Sequence, residues 1–313
     1  MKQHSFWTAL CLLFAAVPIT GQTIKSSMEF APSEHWIKPV EKPYREEICL
    51  NGTWAFAPVQ LPAGFKEGET PAPALPGVNE VTFSKTPIRI PSPWNVNSFA
   101  DKNGLGGDHR TYPSYPKEWE SIKMGWLQKK FTVPASWKGK RIQIHFEAVA
   151  GKADIYVNGK AVGNNFDIFM PFDIDITDAV KFGQENTLNV GIQKSSLFDD
   201  RKSPLGRRTY QGGSFWGQHI AGIWQDVYLV ALPQTRVADV YIQPIVNKNT
   251  LEVEVTLRND ENKPVEVNIS AAAYPWISKA GKTVLTAANP SSQLGSQAAL
   301  QMPTQKVTIP AGK

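Results

Sequence analysis

In the stretch Arg141-Ile-Gln-Ile-His-Phe-Glu147, apolar and polar residues alternate without a break, so Ile142, Ile144 and Phe146 share one face. A period of two cannot make the apolar stripe of a helix; it is the pattern of a strand with one side in a core. The alternation resumes at Ala153-Asp-Ile-Tyr-Val157. Asn158-Gly159 then supplies the pair that tolerates the positive φ angles of a tight hairpin, and Lys160-Ala-Val162 begins the return strand. Thr187-Leu-Asn-Val-Gly-Ile192 and Asp226-Val-Tyr-Leu-Val-Ala-Leu232 read the same way. Beyond the first residues, no stretch carries a convincing 3.6-residue apolar stripe. The chain is therefore expected to be all-β.

Pro233-Gln-Thr235 reads as a hinge between two units, residues 23–233 and 234–313. Past it, residues 237–244 form one strand, and Leu251-Glu-Val-Glu-Val-Thr-Leu257 alternates cleanly. Asn259-Asp-Glu-Asn262 makes a turn that Val265-Glu-Val-Asn-Ile269 answers, and Lys306-Val-Thr-Ile309 is a late strand. Short strands at this spacing suggest an immunoglobulin-like sandwich. Its count stops short, so the second unit is expected to be incomplete, with an edge left to be covered. Two stretches are less regular. Residues 60–79, rich in Pro, Gly and Ala, read as an exposed insertion. Residues 90–124, dense in Trp, Tyr, Pro and Gly, read as a functional loop.

The first residues set the compartment. Lys2 gives a positive start, residues 8–19 are mostly apolar, and Thr20-Gly21 is a small-residue exit. That order describes a secretory signal over residues 1–22, cleaved near Gly21 and leading to a secreted or periplasmic product. The apolar run is well short of the ~20 residues a membrane helix needs, and no other candidate span follows. Of the two cysteines, Cys11 lies in this leader, which leaves Cys49. One cysteine excludes both an internal disulfide framework and a cysteine-based metal site. The net charge of +5 is spread among acids rather than bunched into a basic tract, which argues against a nucleic-acid partner. Ten tryptophans suit a β-rich core and carbohydrate contact alike.

Several segments then fall in a telling order. Leu50-Asn-Gly-Thr-Trp-Ala-Phe56 comes first, followed by Ile90-Pro-Ser-Pro-Trp94 and Gly125-Trp-Leu-Gln-Lys-Lys-Phe-Thr-Val-Pro134. Trp137-Lys-Gly-Lys140, Phe146-Glu-Ala-Val149 and Ala153-Asp-Ile-Tyr-Val-Asn-Gly-Lys160 come next. Pro171-Phe-Asp-Ile-Asp-Ile-Thr177, Glu185-Asn-Thr-Leu-Asn-Val190 and Gly222-Ile-Trp-Gln-Asp-Val-Tyr-Leu229 complete the set. This set resembles the amino-terminal sugar-binding domain of glycoside hydrolase family 2, the β-galactosidase, β-glucuronidase and β-mannosidase group. The later segment resembles part of the immunoglobulin-like domain that follows it.

The resemblance implies a jelly-roll β-sandwich, then an immunoglobulin-like β-sandwich, then a (β/α)8 barrel bearing the active site. Such a barrel needs roughly 250 residues, which the sequence after Lys313 does not supply. Retaining glycosidases use two carboxylates ~5–5.5 Å apart. In the family these are barrel glutamates, and neither maps onto this sequence, so no catalytic residue is assigned. The partners implied are a β-linked oligosaccharide or glycan, the missing catalytic barrel, and further copies of the chain in a homo-oligomer. No cofactor is implied.

Asp173, Asp175 and Asp178 have the residue types of a calcium site, but alternation with Ile174 and Ile176 makes them the wet face of a strand, with Thr177 and Asp178 holding the turn after it. Ser195, Ser196, Asp199, Asp200 and His219 contain the types of a hydrolase triad, yet no nucleophile-elbow sequence surrounds either serine.

The stretch Arg207-Arg-Thr-Tyr-Gln-Gly-Gly-Ser-Phe-Trp-Gly-Gln-His219 is the leading candidate for substrate contact. Arg207 and Arg208 can fork onto carboxylates, Tyr210 and Trp216 offer flat faces to a sugar, and His219 closes the run. In the family, this segment reaches toward the active site, and β-galactosidases hold the sugar there with an acidic residue. This sequence has Gly217 at about that place, which counts against galactose. Trp94 and Tyr115, with Tyr112, Trp119, His109 and Arg110 nearby, form a second candidate rim. Three roles follow: the non-catalytic front of a secreted glycosidase, a stand-alone carbohydrate-binding module, or a structural and oligomerisation module.

Overall fold

The computed structural model describes residues 46–66, 68, 71–95, 115–199, 220–278 and 292–312; residues 1–22, read as an export signal, lie outside these. The described residues form strands and short 3-10 turns with no α-helix. In chain order the strands of the first unit are β1 (Glu46–Cys49), β2 (Gly52–Val59), β3 (Ile88–Ile90), β4 (Met124–Thr132), β5 (Arg141–Phe146) and β6 (Val149–Val157). They continue with β7 (Lys160–Asp167), β8 (Phe172–Asp175), β9 (Glu185–Gln193), β10 (Gly222–Ile223) and β11 (Val227–Leu232).

These strands make two antiparallel sheets. One has four strands in the order β1-β11-β5-β8; the other has seven, in the order β10-β6-β9-β4-β2-β3 with β7 also paired to β6. The first strand lies beside the last, Glu46 opposite Ala231. Two sheets face to face in this way are a jelly-roll β-sandwich. The core is where the alternation placed it: Ile142, Ile144 and Phe146 of β5 meet Leu127, Ile155, Val190, Trp54 and Phe56 from the facing sheet, all but fully buried. Burying each such side chain contributes about 2 kcal/mol. The Asn158-Gly159 turn forms as expected, with φ of 52° and 81°.

Two bonded asparagines, Asn186 buried and Asn158 exposed, explain why amides recur in the strand motifs. Asn186 is 1 % exposed, and its oxygen accepts from Lys181 N–H while its amide nitrogen donates to the carbonyls of Lys181 and Gln184. Asn158 Nδ2 donates to the same oxygen at 2.8 Å. Buried polar groups persist where their partners are supplied, and this pair ties the β6–β7 turn to the start of β9.

The second unit comprises β12 (Thr235–Ile245), β13 (Thr250–Asn259), β14 (Val265–Ile269), β15 (Ala272–Ala273), β16 (Trp276–Ser278), β17 (Ser292–Leu294), β18 (Leu300–Gln301) and β19 (Gln305–Ile309). It is an immunoglobulin-like β-sandwich built from the pairs β12-β13, β14-β19, β15-β18 and β16-β17. At the joint, Asp260 accepts from both Arg236 and Arg258, and Asp260 N–H bonds to Gln234 O at 2.9 Å. Gln234 Nε2 reaches back to Gly139 O of the first unit at 2.9 Å.

Three local expectations change. The turn at residues 259–262 does not close a hairpin: β13 pairs with β12 and β14 with β19, so the chain crosses between sheets there. Asn259, 0 % exposed, makes that crossing by donating to Lys263 O at 2.8 Å. Residues 60–79 are not a bare insertion either. Trp126 Nε1 donates to Pro76 O at 2.9 Å and Gln193 Nε2 to Pro73 O at 2.6 Å, which straps the segment across the outer face of the seven-stranded sheet. After β8, Asp175 rather than Asp178 holds the turn, its Oδ1 accepting from Thr177 N–H at 2.9 Å.

Candidate functional site

The motifs that point to function meet at one end of the first sandwich. Leu50 N–H donates to Val227 O at 2.8 Å, which sets Asn51 against the loop before β11. Asn51 is 0 % exposed, and its amide bonds through both polar atoms: Nδ2 donates to Asp226 Oδ1 at 2.8 Å, and Oδ1 accepts from Val227 N–H at 3.0 Å. The other carboxylate oxygen of Asp226 accepts from Tyr228 OH at 2.9 Å. Burial, together with the neighbouring Asp226 charge, pushes the Tyr228 phenol far above its ordinary range, so it stays a donor. Asp226 therefore works as an anchor with both oxygens engaged.

Next to this network, residues 91–95 run along residues 221–223. Ser92 N–H bonds to Ile223 O at 3.0 Å, Trp94 N–H to Ala221 O at 3.1 Å, and Ala221 N–H to Asn95 Oδ1 at 2.9 Å. Gly222 makes the close approach practicable. Its φ is +117°, and a Cβ there would stand 2.9 Å from Trp94 Cε3.

Under this clamp lies a cluster of rings. Phe56 stacks on Trp94 with centroids 5.0 Å apart, Trp119 meets Phe56 edge-on at 4.7 Å, and Tyr115 stacks on Trp119 at 5.1 Å. Trp94 is 0 % exposed and Tyr115 7 %. Their polar atoms are bonded to backbone: Trp94 Nε1 to Ile122 O at 3.0 Å, and Tyr115 OH from Arg89 N–H at 3.1 Å. Burial raises the Tyr115 phenol above its usual pKa. Both residues thus sit beneath the surface, where the described chain breaks at Asn95 and resumes at Tyr115.

Arg207, Arg208, Tyr210, Trp216, Gly217 and His219 lie outside the described residues, as do His109, Arg110 and Tyr112. What the fold brings together is the frame on either side: Asn95 and Ala221, which flank residues 96–114 and 200–219, are directly bonded. Trp224 extends that frame, donating from Nε1 to Ile168 O at 2.8 Å and meeting Phe169 edge-on at 5.9 Å. Ser195, Ser196 and Asp199 are all buried. Asp173 and Asp175 face His145 and Arg141, not one another. Among the described residues, no cluster of His, Cys, Asp and Glu is placed to hold a metal ion.

Sequence reasoning passed over Asn51 and Asn95 as individuals. The first was visible within the Leu50-Asn-Gly-Thr-Trp motif, but its partner lies 175 residues away and nothing local reveals it.

Comparison with known proteins fits this geometry. Residues 48–233 match the model for "Glycosyl hydrolases family 2, sugar binding domain". A β-galactosidase of Thermoanaerobacter pseudethanolicus is 32 % identical over 152 residues, 47 % of this chain and 19 % of its own. A β-glucuronidase of Formosa agariphila is 32 % identical over 204 residues, 60 % of this chain and 20 % of its own. The chain thus spans about a fifth of the length of these relatives. Among solved structures, a Bacteroides uniformis β-glucuronidase superposes with a TM-score of 0.55 at 20 % identity, over 86 % of this chain and 26 % of that one, which speaks for the fold. Among the described residues, no helix is long and apolar enough to cross a membrane.

Proposed function

The chain belongs to glycoside hydrolase family 2, and from that premise we propose that it forms the non-catalytic amino-terminal part of an exported glycosidase for β-linked glycosides. In this reading residues 23–233 and 234–313 are its first two domains. They position a catalytic barrel and shape the rim of its pocket. Arg207, Arg208, Tyr210, Trp216 and His219 supply contacts to the sugar, while Trp94 and Tyr115 act from beneath as buried supports. The chemistry, with its two carboxylates, belongs to the barrel.

The observation that carries this reading is the clamp between residues 91–95 and 221–223. It gathers the ends of the two candidate rim segments at one edge of a rigid sandwich, the arrangement a binding site needs from its scaffold. Among the described residues at that edge, Asp226 is bound on both oxygens and serves as an anchor.

The test is an assay of the purified 313-residue chain against aryl β-galactosides, β-glucuronides and β-mannosides. The expected result is no turnover above buffer. Steady hydrolysis of any of the three would overturn the assignment, because the chain would then hold its own catalytic pair.

A further inference from the structure

The outer face of the seven-stranded sheet holds a cleft of about 570 Å3, within the roughly 300–1,000 Å3 usual for small-molecule sites. Its floor follows from strand alternation. Leu127, Ile155 and Val190 point into the core, so Trp126, Gln128, Tyr156 and Asn189 point out. Register puts Gln128 opposite Asn189 and Asn189 opposite Tyr156, a single row across β4, β9 and β6. The strap forms the opposite wall, with Asn79 and Phe83 among its contributors.

The row is held in place. Gln128 Nε2 donates to Asn189 Oδ1 at 2.9 Å, which orients both amides. That leaves Gln128 Oε1 as an acceptor and Asn189 Nδ2 as a donor, neither with a partner among the described residues; the same holds for Tyr156 OH. Trp126 meets Tyr156 edge-on, with centroids 5.6 Å apart, and is pinned to the strap through Pro76. Gly191 permits this: a Cβ there would stand 2.8 Å from the Trp126 ring and 2.5 Å from Leu75. Tyr156 and Phe83 stay half-exposed.

We propose that this cleft binds a neutral pyranoside, with Gln128, Asn189 and Tyr156 bonding its hydroxyls and the Tyr156 and Phe83 rings meeting its C–H face. The lining excludes other chemistries. All of its residues are uncharged, so an anionic ligand such as a uronate would find no counter-charge. A purely apolar ligand would cover Gln128 Oε1 and Asn189 Nδ2 without bonding them, leaving both desolvated and unsatisfied. A sugar hydroxyl both donates and accepts, which matches an acceptor and a donor side by side. Every lining residue belongs to the described strands and strap of the first sandwich.

Calorimetric titration of the 313-residue chain tests it, using neutral tri- and tetrasaccharides of glucose, xylose, mannose and galactose, with a glucuronate-terminated tetrasaccharide alongside. Saturable binding of at least one neutral sugar is expected, weakened tenfold or more by Gln128→Ala. Asn79→Ala, on the exposed strap, gives the same readout should Gln128→Ala lose its fold by circular dichroism. No saturable binding of any neutral sugar would overturn the proposal. So would preference for the uronate, or affinity unmoved by Gln128→Ala and Asn79→Ala. Hydrolysis by the chain, which would sink the scaffold role, leaves this binding test standing.

Discussion

Asn51 and Asp226, 175 residues apart, are joined by a 2.8 Å hydrogen bond that locks the opening motif of the chain to the loop before β11. Asn51 is completely buried and also receives Val227 N–H. Asn51→Ala therefore leaves a buried N–H and a carboxylate oxygen unsatisfied, and should cost about 2–4 kcal/mol. Urea denaturation measures this. A loss under about 0.5 kcal/mol, the size of a neutral surface change, would mean the bond is not made in solution.

Gly222→Ala should lower stability by about 1–3 kcal/mol, since its φ of +117° disfavours any side chain and the new methyl meets Trp94. Trp94 fluorescence, followed through thermal unfolding, reports whether the indole is displaced. An unchanged melting temperature would contradict the packing described.

His145 gives a pH signature. Its hydrogen bond to Asp173, at 2.9 Å, raises its pKa above 6.5 against the opposing effect of burial, with Glu147 and Glu47 adding to the rise. A raised folded-state pKa gives stability that is fully present below the unfolded value near 6.5 and lost as pH climbs through the folded value. Unfolding free energy should accordingly fall from pH 6 to pH 8.5 in the native chain, and His145→Gln should flatten that slope. Equal slopes in both proteins would refute the pairing.

Asp260 has the opposite sign. Burial pushes its carboxyl up, but bonds from Arg236 and Arg258 outweigh that and hold it below the ordinary range. Its contribution is present above the unfolded value of about 3.9 and lost as pH falls through the depressed folded value. Asp260→Asn should loosen the joint after Leu232 at neutral pH, read as faster proteolytic cleavage near residues 233–236. Unchanged cleavage would remove Asp260 as the clasp.

In the glycosidase proposed above, Arg207→Ala and Trp216→Ala should raise KM for aryl glycosides about tenfold with smaller effects on kcat, the behaviour of groups that bind ground and transition state alike. Wild-type kinetics in both variants would take this stretch out of the rim.

Much of the first sandwich was legible locally. Alternation at residues 141–147 named the buried face of β5, and Asn158-Gly159 named the β6–β7 hairpin, because side-chain period and turn geometry depend on neighbours in sequence. The crossing after Asn259 was not legible. A turn signal says that the chain reverses, and only the competition among strands for partners says which sheet it joins. The anchoring of the exposed insertion at residues 60–79 was illegible for the same reason: Pro73 and Pro76 are held by Gln193 and Trp126, far along the chain.

The sequence by itself determined the all-β class and the core face of β5, which follow from residue type and short-range spacing, and its ordered motif set carried the resemblance to the family. The tertiary structure decided that Asn51 meets Asp226, that Trp94 and Tyr115 are buried beneath the edge they were expected to line, and that Gln128, Asn189 and Tyr156 form one row. Strand order and register govern each of those contacts, and they are set by long-range packing that no local window contains.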